Sequence, residues 1–379
     1  MLCVAVFACT TQEIRFTISN PSDFDRIDEV VETALPQTLK SLSEMALFDD
    51  NQNPVAYQFI PESKTVLFQT SIKAQSNAVY SLKKGVPAVI EPLTYAVQKL
   101  PKKRNDIVWE NNLSAYRMYS SILLSNEPNT ANGVDIWFKK QAAPIIEQMF
   151  SCENYHAEQT FGVDAYSVNG KTLGAGGIAA FADNQLWLHK PYDQCEIVMN
   201  GPLRSEFILH YNDVEVAGDF YSKTVRIITN ANGLLNKAIV KYEGKDKPMQ
   251  LAAGIYLHSN QAPHVPNGIE MASDDILAYA ENPSDGTVTS PNPRVYVGIY
   301  MPEAVDTLHF NHQALILRNY TVGSEITYYF GGGWNIYPAD RYAVDSDWLK
   351  SVLQFKETIE KSLEITVIPP QSKTKPNVW

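Results

Sequence analysis

Trp109-Glu110-Asn111-Asn112, Ala115-Tyr116-Arg117-Met118-Tyr119, Gly133-Val134-Asp135-Ile136-Trp137, Tyr155-His156, Gly162-Val163-Asp164-Ala165-Tyr166 and Gly174-Ala175-Gly176-Gly177 follow one another between residues 109 and 177. Apolar residues alternate there with ionisable and aromatic ones. Alternation with period two is the signature of a β-strand with two unlike faces. Charged groups beside tyrosines and tryptophans suit a sugar-binding sheet face better than a plain core.

Outward from this stretch the pattern stays that of strands. Residues 13–19, 55–60, 65–69 and 78–82 read as strands on its N-terminal side, spaced as in a β-sandwich. On the C-terminal side, residues 196–199 and 203–211 read as strands, and 214–220, 223–228 and 238–242 as a meander with Asn230-Ala231-Asn232-Gly233 as one of its turns. Residues 249–258, 295–300, 314–317 and 325–330 continue it. Helical spacing occurs at 142–150 and, most clearly, at 340–363, where Trp348, Leu349, Val352, Leu353, Phe355 and Ile359 form a stripe. The expected fold class is therefore all-β. Residues 10–98 are expected to form a small N-terminal β-sandwich domain. Residues 99–370 are expected to form two large antiparallel sheets packed face to face, and 371–379 a disordered tail. The basic run 99–105 reads as the linker.

At 379 residues the chain can bury a large core. Its net charge of -11 argues against nucleic acid, which needs a basic footprint, and against an anionic membrane surface. Residues 1–9 are apolar and too short to span a bilayer. They resemble the end of a secretory signal, and Val6-Phe7-Ala8-Cys9 a lipoprotein cleavage site with Cys9 lipidated. Cys152 and Cys195 could pair or stay free.

Candidate chemistry centres on a few groups. A loop histidine beside a tyrosine, Tyr155-His156, can supply a base and an acid near neutral pH. Arg117 and Arg204 could meet a uronate carboxylate bidentately, or pair internally with Glu110 or Glu206. Glu110, Asp135 and Asp164 are the carboxylates from which a hydrolytic pair could come. Tyr116, Tyr166, His258 and Trp334 are the expected substrate contacts, Trp334 being presented by Gly331-Gly332-Gly333 as a stacking platform. No HxH or HExxH spacing occurs, so no metal or cofactor is expected.

The quoted motifs, with Asn200-Gly201-Pro202-Leu203-Arg204 and Gly331-Gly332-Gly333-Trp334, resemble a family of uncharacterised secreted proteins from bacterial polysaccharide-utilisation loci. It is a domain-of-unknown-function family in the galactose mutarotase-like group, and the resemblance spans about residues 12 to 368. It implies a supersandwich fold and work on polysaccharide fragments, often uronate-rich. Asn112 stands where the family usually has an acid. The expectation is a secreted, periplasmic or cell-surface lipoprotein of a Gram-negative bacterium, touching the membrane only through Cys9. Lyase or hydrolase cleavage of uronate-containing oligosaccharides leads. A mutarotase-like epimerase and a non-catalytic glycan-binding lipoprotein remain alternatives.

Overall fold

A computed structural model describes residues 13–370 apart from 38, 40, 41, 43, 100–104, 129, 131–132, 169, 260–266 and 340. The lipoprotein-like N-terminus with Cys9, most of the basic run after Lys99, His264 and the tail lie outside the described residues. The fold is all-β, with one helix longer than two turns among the described residues.

The chain divides into two compact units. The smaller takes residues up to Glu91 together with those from Glu357 onward. Its five-stranded antiparallel sheet places Glu364–Ile368 beside Ile14–Ser19, followed by Asn77–Lys84, Met45–Phe48 and Pro54–Val55. A second sheet joins Arg26–Ala34, Thr65–Ile72 and Tyr57–Ile60. Alternate residues Ile14, Phe16 and Ile18 are buried with Phe68 and Leu82, as one-sided burial of a period-two strand requires. Glu364–Ile368 thus belongs to this unit, although it follows the large domain in sequence; strand pairing is set by edge complementarity and not by chain order.

The larger unit, residues 92–356, holds three sheets. The eight-stranded one is built on the meander, with Arg204–Val216, Asp219–Asn230 and Asn236–Glu243 at consecutive positions. A five-stranded sheet carries Ala175–Ala182 and Met249–Tyr256, and another carries Asp106–Glu110, Ser114–Met118, Asp135–Lys139 and Gly162–Asp164. One hydrophobic core joins all three, from Trp109 and Tyr116 through Phe207 and Val240 to Phe330 and Trp334. The expected pair of sheets is therefore one large sheet facing two smaller ones. The helix runs Asp345–Glu360, within the expected 340–363 and carrying the whole apolar stripe, and buries Trp348 and Val352. The 142–150 stripe gives only the turn-and-a-half Ile146–Ser151.

Gly174 shows why the Gly174-Ala175-Gly176-Gly177 run is glycine-rich. Its φ is +60° and a Cβ there would lie 2.3 Å from the Val134 carbonyl oxygen. Only glycine lets the two backbones approach so closely.

Candidate functional site

Strand register assembles the site. Arg117 lies directly opposite Asp135, and Trp137, two residues on, lies opposite Asp164. Residues two apart on a strand share a face, so Arg117, Asp135, Trp137 and Asp164 converge on one side of the sheet. Arg117 Nε donates to Asp135 Oδ2 at 2.9 Å and Nη2 lies 2.6 Å from the same oxygen. Nη2 also donates to the Tyr119 hydroxyl at 2.6 Å, and Nη1 to the Tyr155 hydroxyl at 3.4 Å. The guanidinium faces the rings of Tyr119, Trp137 and Tyr155. Asp164 Oδ2 is 3.6 Å from Nη2.

Two further groups close the site from the solvent side. His156 Nδ1 is 3.8 Å from Asp164 and 3.4 Å from Asp285, whose side chain is 37% exposed. The three segments are clamped by backbone bonds. Asp164 N donates to Tyr155 O at 2.9 Å, Thr287 N to His156 O at 2.7 Å, and Asp285 N to Ala165 O at 3.4 Å. Gly286 makes the fit possible: at φ +70°, a Cβ would sit 2.5 Å from the carbonyl oxygens of both His156 and Asp164. Glu158 secures the far side of the same loop, accepting bonds from Lys140, Thr289 and Ser290. Burial alone would raise its carboxyl; these donors outweigh that and hold it down at about 2.

Burial, and then repulsion from Asp135, push the Asp164 carboxyl well above its usual range. Burial raises Asp135 too, but Arg117 opposes it. Asp164 is therefore the first of the two to take up a proton. Oδ1 of Asp135, Oδ1 of Asp164 and Nδ1 of His156 are buried atoms with no hydrogen-bond partner. His156, Asp164 and Asp285 could together hold a metal ion, since one ligand atom from each lies within 4.8 Å of the others.

Five of the sequence candidates thus meet: Arg117, Asp135, Tyr155, His156 and Asp164. The others do not join them. Trp334 is fully buried, its indole N–H donating to Lys139 O at 2.7 Å; the three glycines lie in a paired central strand and present nothing to solvent. Tyr116 is likewise core, stacked on Trp109, with its hydroxyl accepting from Gly332 N. Tyr166 is buried and donates to Tyr256 O at 2.8 Å. Glu110 takes the Lys139 ammonium at 2.5 Å and the N–H groups of Ile145 and Ile146, so it caps a short helix inside the fold. Arg204 reaches Asn230 across the meander, while Glu206 holds Arg226. Cys152 and Cys195 are free, and burial pushes the Cys195 thiol up to about 12.

His258 belongs to an adjoining network. Its Nδ1 meets Glu281 at 2.8 Å and its Nε2 meets Ser167 O at 2.8 Å. Glu281 also accepts from Tyr279 and Ser284. Both ring nitrogens face protein acceptors, so neither is left for a ligand. The ring still lines a cleft of about 570 Å³ with Tyr256, Leu257, Ser259, His309 and His312. Residues 164–167 and 281–285 connect this network to Asp164 and Asp285.

Asp285 is the group sequence reading missed. It stands in Pro283-Ser284-Asp285-Gly286, a turn signature outside any strand pattern. A turn of that kind is ordinarily solvent-facing, and nothing local marks it as folded back over Asp164.

An all-β protein with a buried carboxylate–guanidinium cluster opening to solvent through a histidine is the class that fold and site define. Residues 18–365 match the family described as "Domain of unknown function (DUF4861)", and the chain belongs to that family. It is 22% identical over 379 residues to "Uncharacterized protein P7" of Formosa agariphila, covering 93% of this chain and 92% of that protein. Among solved structures, an α-mannosidase from Enterococcus faecalis V583 matches with a TM-score of 0.43 at 9% identity, over 96% of this chain and 46% of that one. A glycosyl hydrolase family 38 protein from Enterococcus faecalis matches with a TM-score of 0.45 at 9% identity, over 98% and 49%. The chain spans about half the length of these solved structures.

Proposed function

We propose that the protein is a carbohydrate-active enzyme that hydrolyses a glycosidic bond at the recess of His156, Asp164 and Asp285. The observation that carries this reading is the convergence itself: an imidazole and two carboxylates within 4.8 Å, the inner carboxylate buried and the outer two groups half in solvent. Hydrolysis of a glycoside commonly uses two carboxyl groups, from about 5 Å apart in retaining enzymes to about 9.5 Å in inverting ones. Asp164 and Asp285 offer oxygens within 4.8 Å of each other, too close to flank a glycosidic bond with a water between them, so both act on the side of the attacking water.

In this reading the trio positions the water that attacks the anomeric carbon. Tyr155 hands a proton to the leaving oxygen. Its ring lies 4.5 Å from that of His156, and Arg117 Nη1 donates to its hydroxyl at 3.4 Å. Arg117 itself is 3% exposed and gives its N–H groups to Asp135, Tyr119 and Tyr155. It is therefore a poor partner for a uronate, and Arg204 is engaged elsewhere. Asp135 already balances the Arg117 guanidinium, which leaves it no charge to offer an anionic sugar. Hydrolysis of an oligosaccharide without a uronate at the cleaved position fits these charges better than elimination does.

Secretion and a lipid anchor at Cys9 are part of the same proposal, supported by Val6-Phe7-Ala8-Cys9; radiolabelled palmitate entering the wild type but not Cys9→Ala tests the anchor.

The test of the reaction is a product screen on arabinogalactan, pectic, alginate and ulvan oligosaccharides. The expected result is new reducing ends without the ultraviolet absorbance of an unsaturated sugar. Absorbance rising with the reducing ends would replace hydrolysis by elimination. Binding without either signal would make the protein a glycan binder.

A further inference from the structure

Three ligand atoms from three separate segments meet at the mouth of the site. His156 Nδ1 lies 3.8 Å from Asp164 Oδ2 and 3.4 Å from Asp285 Oδ2, and one ligand atom of each residue lies within 4.8 Å of the other two. The fold leaves part of this set unsatisfied, although Arg117 Nη2 lies 3.6 Å from Asp164 Oδ2 and Gly286 N donates to Asp285 Oδ1 at 2.6 Å. Nδ1 makes no hydrogen bond, and neither does Oδ1 of Asp164, a side chain only 2% exposed. Oδ1 of Asp135, behind them, is in the same state. A buried polar atom left unpaired costs about 1 to 3 kcal/mol, more when charged, and such atoms in a native fold ask for a partner such as an ion.

Charge points the same way. Asp135, Asp164 and Asp285 carry three negative charges when ionised, and Arg117 supplies one positive charge among them. The excess is two, which one divalent cation cancels. Spacing agrees as well. Ligands about 2.1 Å from a tetrahedral ion lie roughly 3.4 Å apart, so the two distances from Nδ1 need shifts of no more than a few tenths of an ångström. The clamp formed by Asp164 N to Tyr155 O, Thr287 N to His156 O and the glycine at 286 holds all three ligands in place before any ion arrives.

We propose that His156 Nδ1, Asp164 and Asp285 bind a divalent first-row ion of the Mn²⁺ to Zn²⁺ type. An imidazole nitrogen in the set disfavours Ca²⁺ and Mg²⁺, which prefer oxygen throughout. Three protein ligands leave at least one position open to water or a sugar hydroxyl. In the hydrolytic reading above, that position is where the attacking water would sit, ionised near neutral pH by the ion. This role rests on that reading; the binding itself does not.

The test uses the full chain after chelator treatment, titrated with Zn²⁺ by calorimetry and with Mn²⁺ by electron paramagnetic resonance. The expected result is one ion per chain, Zn²⁺ tighter than Mn²⁺, with excess Ca²⁺ failing to displace Mn²⁺. His156→Gln and Asp285→Asn, both at half-exposed side chains and checked for wild-type urea midpoints, each weaken binding at least about tenfold. His309→Ala, in the neighbouring cleft, leaves it unchanged. No saturable uptake up to millimolar ion, or uptake unaltered by both site variants, overturns the proposal. Stoichiometric uptake by a protein that releases no reducing ends upholds the metal site and sinks the hydrolytic reading alone.

Discussion

Arg117 stands directly across a strand pair from Asp135, and both side chains are almost wholly buried, at 4% and 3% exposure. An ion pair so placed is a commitment of the fold. The guanidinium cannot leave, because Tyr119 and Tyr155 hold its remaining N–H groups. It fixes the inner wall against which Asp164 and His156 are set.

Removing one partner therefore leaves an uncompensated buried charge. Arg117→Ala is expected to cost about 3 to 5 kcal/mol, read as a lower urea midpoint at constant slope. Arg204→Ala, whose side chain is half-exposed on Asn230, is expected to cost under about 1 kcal/mol. Equal costs for the two would contradict the distinction drawn between them.

Trp334 separates core from site. It is fully buried against Phe138, so Trp334→Ala is expected to lose about 3 to 5 kcal/mol of stability. A variant of unchanged stability but impaired glycan binding would restore the platform role.

Asp285→Asn and Tyr155→Phe are expected to leave the urea midpoint within about 1 kcal/mol of wild type. Both should lower the rate of glycan cleavage by a factor of about 10² to 10⁴, the usual worth of an acid–base group. Initial rates at saturating substrate check this.

Lys223 gives a pH signature elsewhere in the large unit. Its ammonium is buried, donating to Ile178 O at 2.6 Å and to His189 Nε2 at 2.9 Å, with no carboxylate beside it. Burial holds its pKa down at about 7. The unfolded chain, with an ordinary lysine, binds more protons than the folded one between about pH 7 and pH 10.5, so stability must rise with pH across that window. Wild type should gain stability relative to Lys223→Met between pH 7 and pH 10 in chemical unfolding. A flat difference would show that the amine titrates normally.

Much of this was legible in the sequence because it rests on alternation. Arg117, Asp135 and Asp164 sit in short strands whose apolar neighbours point the other way, and period two alone puts each on the polar face. Their meeting depends on register, Arg117 against Asp135 and Trp137 against Asp164, which a single strand does not encode. Tyr116 and Trp334 misled for the same reason: an aromatic next to a charge or a glycine run looks presented, yet both point into the core between sheets. Asp285 was illegible because its position comes from a loop folding back over residues distant in sequence. The partner of Glu364–Ile368 lies some 350 residues earlier, a pairing that no local pattern encodes.

The most direct measurement is cleavage of the best glycan from the panel in ¹⁸O-labelled water, with mass analysis of the products. Hydrolysis at the His156–Asp164–Asp285 recess predicts one labelled oxygen at each new reducing end, lost along with activity in Asp285→Asn. An unlabelled, unsaturated product, or labelled product formed as fast by Asp285→Asn as by wild type, would contradict it.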